Sequence, residues 1–125
     1  MLYSILIYVD ENTVDAMSKE VEDAHIAQHL ALQEKLAARG KMGPAVRLEG
    51  TRMAKQLHTA DEATIVDGPF AETKEQLLGF YMVDCESEDE ALEIARALPS
   101  IGTIFEVRPV RLYFPDRRAQ RPESQ

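Results

Sequence analysis

The opening stretch constrains the fold most. Leu2 to Val9 puts Tyr3, Ile5, Ile7 and Val9 on one side of an extended chain and Leu2, Leu6 and Tyr8 on the other. Successive side chains of a strand point to opposite faces, so a strand apolar on both sides belongs in the middle of a sheet with cover on each face. The run is too short to span a bilayer, and no basic segment precedes it as in a signal peptide. A central first strand obliges later segments to return and pair with both of its edges.

The rest of the chain supplies those segments. Asp10, Glu11 and Asn12 end the strand, and Ser18 offers an N-cap to a helix from about Lys19 to Arg39. Glu20, Glu22 and Asp23 load its first turn with negative charge, where the helix dipole favours it, and Gly40 stops it. Val21, His25, His29, Leu32 and Leu36 fall within one stripe at helical spacing. Met42 to Leu48 reads as a strand with an irregular start at Gly43-Pro44. Gln56 to Thr59 and Ala63 to Val66 read as hairpin arms around Ala60, Asp61 and Glu62. Leu78 to Val83 alternates as another strand around Phe80 and Met82. Ser87-Glu88-Asp89-Glu90 is a capping box, with Ala91, Leu92, Ala95 and Leu98 as the apolar face of a second helix ended by Pro99. Phe105 to Phe114 closes the domain as a strand, where Pro109 suits an edge or a bulge.

Reduced to its frame, this is an α+β order β-α-β-β-α-β with an inserted hairpin, the ferredoxin-like arrangement of an antiparallel sheet with two helices on one face. The opposite face then needs cover. The strand sides bearing Leu2, Leu6 and Tyr8, and Tyr81 and Val83, are too apolar for water, which points to a partner subunit. One domain over residues 1–114 is all that 125 residues with 45% hydrophobic side chains support. Residues 115–125 form a tail, read as a flexible or edge-covering end that holds the basic cluster Arg117, Arg118 and Arg121.

Charge and motifs remove several functions. A formal net charge of −8 argues against direct nucleic-acid binding, which draws its affinity from clustered Lys and Arg. The single Cys85 excludes an internal disulfide and suits a reducing, cytoplasmic setting; it reads as a small strand-end residue. There is no G-x-G-x-x-G, no G-x-x-x-x-G-K-[ST] and no G-x-S-x-G, so neither a nucleotide fingerprint nor the commonest serine-hydrolase signature is present, and no cofactor is expected.

Residues 66–75, VDGPFAETKE, carry the densest chemistry. Asp67-Gly68-Pro69 is turn chemistry, since Gly68 tolerates positive φ, Pro69 fixes φ, and the Asp67 carboxylate can accept bonds from nearby amides. Phe70 reads as a plug that packs the loop onto the core. Lys74 is placed to pair with a nearby Glu or to hold an anionic ligand, a role also open to Arg52, Arg108 and Arg111. The run resembles the motif of the DGPF subgroup of the YCII-related family. The spacing of His29 to the helix-ending glycine in HLALQEKLAARG, and the EVRPV setting of Arg108, are similar to that family too. Two departures stand out. Met42-Gly43-Pro44-Ala45 replaces a usual Gly-Gly, and the chain runs on past Val110 as RLYFPDRRAQRPESQ.

The resemblance implies a homodimer that pairs sheet to sheet as a dimeric α/β barrel. It implies a pocket in which His29 and Asp67 form an acid/base pair, with Gly68, Pro69, Phe70, Lys74 and Arg108 as binding residues. The chemistry so implied is of lyase or isomerase type on a small cyclic or aromatic acid. The alternative is a non-catalytic regulatory dimer that partners a sigma factor of the extracytoplasmic-function class. The residues by themselves leave His29 open between a core histidine bonded to a backbone carbonyl and a proton-transfer group, and Asp67 between turn former and orienter of His29. His25 and His29 at i and i+4 are half of a zinc arrangement, but no third ligand is fixed by spacing and His58 is the only other histidine, so no metal site is expected.

Overall fold

A computed structural model describes residues 1–60 and 64–115; the expected hairpin-tip residues Asp61 and Glu62 and the basic tail cluster lie outside the described residues. Among the described residues, six strands and three helices follow one another as β1 (Leu2–Val9), α1 (Glu11–Asp15), α2 (Lys19–Ala38), β2 (Met42–Arg47), β3 (Lys55–His58), β4 (Thr64–Asp67), β5 (Gln76–Asp84), α3 (Glu88–Ala97) and β6 (Ile104–Pro109), with a 3₁₀ turn at Thr51–Met53. Four strands form an antiparallel sheet in the order β2-β5-β1-β6, compatible with a ferredoxin-like fold, and β3-β4 is a separate hairpin. As its double-sided apolar pattern demands, β1 is central, between β5 and β6.

The ends of the helices follow from local chemistry. Ser18 accepts a bond from the Val21 amide at 3.2 Å and so caps α2. At the other end, the Lys41 amide reaches back to Leu36 O and the Gly40 amide to Ala37 O, the paired bonds of a glycine-terminated helix. Ser87 Oγ accepts from the Glu90 amide, while the Glu90 carboxylate reaches the Glu86 amide rather than that of Ser87. Glu90 also pairs with Lys41 at 2.8 Å, tying α3 to the start of β2.

The core lies between the sheet and α2 and α3. Tyr3, Ile5 and Ile7 of β1 and Tyr81 and Val83 of β5 pack against Leu36 of α2 and Ala91, Ile94, Ala95 and Leu98 of α3. Cys85 is buried beside them at the end of β5. Cross-strand pairing puts Tyr81 opposite Ile5 and Val83 opposite Tyr3, so both face the helices. This corrects the expectation that they lie on the uncovered side. That side carries Leu2, Leu6, Tyr8, Phe80 and Met82, each half-buried, and the exposed Val46. Ile94 also replaces the half-exposed Leu92 as an apolar anchor of α3.

Three other expectations change. Asp10 does not merely end β1; its carboxylate accepts from the Asn12 amide at 2.9 Å and caps the five-residue α1. The last strand stops at Pro109 instead of Phe114, because the Val110 amide bonds Leu2 O at the very start of β1, where the pairing with β1 runs out. Phe70 is 86% exposed and lies outside the core it was expected to plug.

One glycine fixes the sheet edge beside the site. A Cβ on Gly79 would sit 2.2 Å from Val46 O and 3.1 Å from Arg47 Cα, both backbone atoms of β2. Only glycine lets β2 lie this close to β5.

Candidate functional site

The amino-terminal part of α2 does not seal against the sheet. Of its twenty residues only Leu36, near the far end, is buried, whereas Val21, Ile26 and Leu30 are exposed. The gap is an open cleft of about 200 Å³ between α2 and the β2-β5 edge. Val14 of α1 and Met17 after it close one side, and Ile101 from the loop before β6 closes another. Glu11 holds α1 in place by accepting bonds from the Thr51 amide, at 2.8 Å, and the Thr51 hydroxyl.

The wall is mostly apolar, and its polar groups are in contact with one another. His29 Nδ1 lies 2.7 Å from the hydroxyl oxygen of Tyr81, and Gln33 Nε2 donates to the same oxygen at 3.0 Å. His25 packs edge-on against His29 with ring centroids 5.0 Å apart. His25, His29 and Gln33 share a face of α2 because they are spaced four residues apart, and Tyr81 comes up from the sheet to meet them. Arg47, at the end of β2, is the one formally charged side chain of the wall; its guanidinium lies 3.8 Å from the Glu22 carboxylate. It also borders a wider polar groove that contains Glu11, Asp15, Glu22 and Glu49.

This setting keeps the imidazoles neutral. Burial pushes the His29 pKa below its ordinary value, with the nearby His25 ring and the Arg47 cation acting in the same direction. His25 is lowered by burial and then by Arg47. Burial raises the Tyr81 hydroxyl, the bond from Gln33 opposing it only in part, so Tyr81 stays protonated and can donate. A neutral imidazole hydrogen-bonded to a phenol is equipped to accept, donate or pass on a proton.

The residues expected at the site fall into two groups. His29 is in the cleft. Asp67 ends β4, its side chain 88% exposed and 2.8 Å from Lys55 Nζ, and it is not part of the cleft wall. Gly68 has φ +96° and donates its amide to Ala54 O, and the carbonyls of Gly68 and Pro69 accept from Gln56 Nε2 at 3.3 and 2.7 Å. Phe70 and Lys74 are exposed on the loop that follows. Arg108 pairs with Ser4, on the sheet face opposite the cleft. Within one chain, therefore, the VDGPF loop and His29 are not brought together. His58 bonds Gln56 on the hairpin, and among the described residues no group of three or more His, Cys, Asp or Glu could hold a metal ion. No helix among them is long and apolar enough to cross a membrane.

Sequence reasoning missed Tyr81, Gln33 and Arg47. The one available signal was Tyr81 itself, since a tyrosine on a buried strand face needs a partner for its hydroxyl.

An uncharacterized protein of Rhizobium meliloti (strain 1021) is 51% identical over 120 residues, which is 92% of this chain and 96% of the relative. The profile of the YCII-related domain matches residues 1–113, from β1 to past the end of β6, and the chain belongs to that family.

Proposed function

We propose that the protein is a small-molecule-binding protein of the DGPF subgroup, with His29 as the acid/base group of its site. The observation that carries this reading is the convergence of His29, Tyr81 and Gln33 in a mostly apolar cleft. Concave apolar sites with a few converging polar groups and a perturbed titratable residue are where ligands bind and proton transfers occur. Lyase or isomerase chemistry on a small cyclic or aromatic acid is in keeping with such a site. The lone buried Cys85 is in keeping with a cytoplasmic setting.

A homodimer is part of the same reading. Leu2, Leu6, Tyr8, Phe80 and Met82 form an apolar sheet face to which neither long helix contributes, and a second copy laid on it would build the dimeric barrel. Asp67 could then act beside His29 only if its hairpin met the cleft of the other copy. The exposed Leu57, Ile65 and Phe70 around it support such a contact.

The test is a titration of ¹⁵N-labelled protein with toluene, benzoate and cyclohexanone, followed through backbone amides. Shifts that saturate at Ala45, Gly79 and Tyr81, and vanish in His29→Ala with the fold retained, support the proposal. Silence of these amides with all three compounds sinks it. The competing reading, a non-catalytic dimer that meets a basic protein partner such as a sigma factor, draws on the net charge of −8. It predicts capture of a purified sigma factor by the wild-type protein and by His29→Ala alike.

A further inference from the structure

The hydrogen-bond order around the Tyr81 hydroxyl determines what a ligand must present to the cleft. Gln33 donates to the Tyr81 oxygen through its amide nitrogen, so that oxygen is already an acceptor. A half-enclosed hydroxyl also has a proton to place, and among the described residues the acceptor beside it is His29 Nδ1 at 2.7 Å. Tyr81 therefore donates to Nδ1, and the single proton of the neutral ring sits on Nε2. No described residue bonds Nε2, and the ring lines the cleft, so this N–H is the donor left for a ligand. Arg47 supplies the formal charge of the cleft wall; its ion pair with Glu22, at 3.8 Å, is longer than a hydrogen bond and leaves its N–H groups open to a closer acceptor.

We propose that the cleft selects a small apolar molecule ending in a carboxylate, received by His29 Nε2–H on the Arg47 side, with Tyr81 and Gln33 as positioning residues that fix the imidazole proton. This rests on the small-molecule reading above and narrows it. Apart from His25, the remaining wall, including Ile7, Ile26, Leu30 and Leu78, is apolar and accepts the body of such a molecule. A ligand ammonium would face the outward Nε2–H of His29 and the Arg47 cation.

Two measurements test the assignment separately. Long-range ¹H–¹⁵N correlation of the His29 ring in the ligand-free protein at pH 7.5 reports the tautomer directly. The Nε2–H form is expected in the wild type, with a shift toward a mixture in Tyr81→Phe and a smaller shift in Gln33→Leu. An Nδ1–H wild type, or a tautomer unchanged in folded Tyr81→Phe, overturns the relay. Titration with benzoate, toluene and benzylamine, which share one phenyl ring, then tests selectivity. Benzoate is expected to bind at least tenfold more tightly than the other two, and to weaken roughly tenfold in Arg47→Gln and in Tyr81→Phe, as for loss of one hydrogen bond to a charged group. Toluene binding as well as benzoate overturns the carboxylate proposal and leaves the cleft a ligand site. An Nε2–H tautomer with no probe bound overturns the carboxylate proposal and the small-molecule reading together, while the relay stands.

Discussion

Gly79→Ala is the substitution for which the structure gives the firmest magnitude. The added Cβ would stand 2.2 Å from Val46 O and 3.1 Å from Val46 C and Arg47 Cα, all on the backbone of β2, where no rotamer change can relieve the contact. Bringing it to an ordinary distance requires β2 to retreat by about 1 Å, which is more than a backbone hydrogen bond can stretch and survive. The bonds at risk are those of the Val46-Phe80 and Arg47-Gly79 pairs and the Leu48 amide to Leu78 O at 2.8 Å. Overpacking costs about 1–3 kcal/mol and each ladder bond about 1 kcal/mol, so a loss of roughly 3 kcal/mol is expected. For a chain of this size that corresponds to a melting point lower by about 10 °C. Gly40→Ala is the matched control. Its Cβ would meet nothing within 4 Å, and φ of +70° leaves only the left-handed backbone cost, about 1 kcal/mol. Urea unfolding with equal m-values would compare the two. If Gly79→Ala lies within 0.5 kcal/mol of wild type, or costs no more than Gly40→Ala, the close approach of β2 to β5 is refuted.

Two other outcomes follow from side-chain surroundings. His25 and His29 both titrate below their ordinary value in the folded chain, so the unfolded chain binds protons that the folded chain refuses, and stability is lost as pH falls from about 6.5. Urea midpoints at pH 7.5 and 5.5 should fall less in His25→Gln/His29→Gln than in wild type, and an identical fall would remove the histidines as the cause. Leu6→Glu places a charge at the centre of the apolar sheet face while the buried face of β1 stays intact. Sedimentation should find wild-type dimers and variant monomers of undiminished helicity; a variant that remains dimeric would assign the interface elsewhere.

The fold was legible wherever one residue type has one physical use. Ser18, Gly40 and Ser87 mark helix ends because their short side chain or missing Cβ completes a terminus, and a strand apolar on both sides takes the central place, paired along both edges. Strand β5 was harder. Phe80 and Met82 alternate with Tyr81 and Val83, and the two sets are about equally apolar. The side that faces the helices is decided by register against β1, which a single sequence does not carry. Reading that parity the wrong way hid Tyr81, and with it the partner of His29. The helix α1 was hidden for a different reason, since five residues are too few to show a 3.6-residue period and Asp10 reads equally well as a strand terminator.

The separation of the VDGPF loop from the cleft has a measurable consequence. Asp67 is held by Lys55 on the hairpin, and Tyr81 by His29 and Gln33 against the sheet; the two share no partner. Groups without shared partners contribute additively, to within about 0.5 kcal/mol, so a double-mutant cycle of Asp67→Asn and Tyr81→Phe should close in the monomeric Leu6→Glu background. In the dimer, a hairpin inserted into the neighbouring cleft would bring Asp67 within reach of the imidazole. The cycle would then leave a coupling above about 1 kcal/mol, read either in stability or in benzoate affinity. Coupling in the dimer alone would assign the carboxylate to a site built from two chains. Additivity in both states would leave Asp67 as the residue that shapes its own turn, and the acid/base chemistry to His29 and Tyr81 of a single chain.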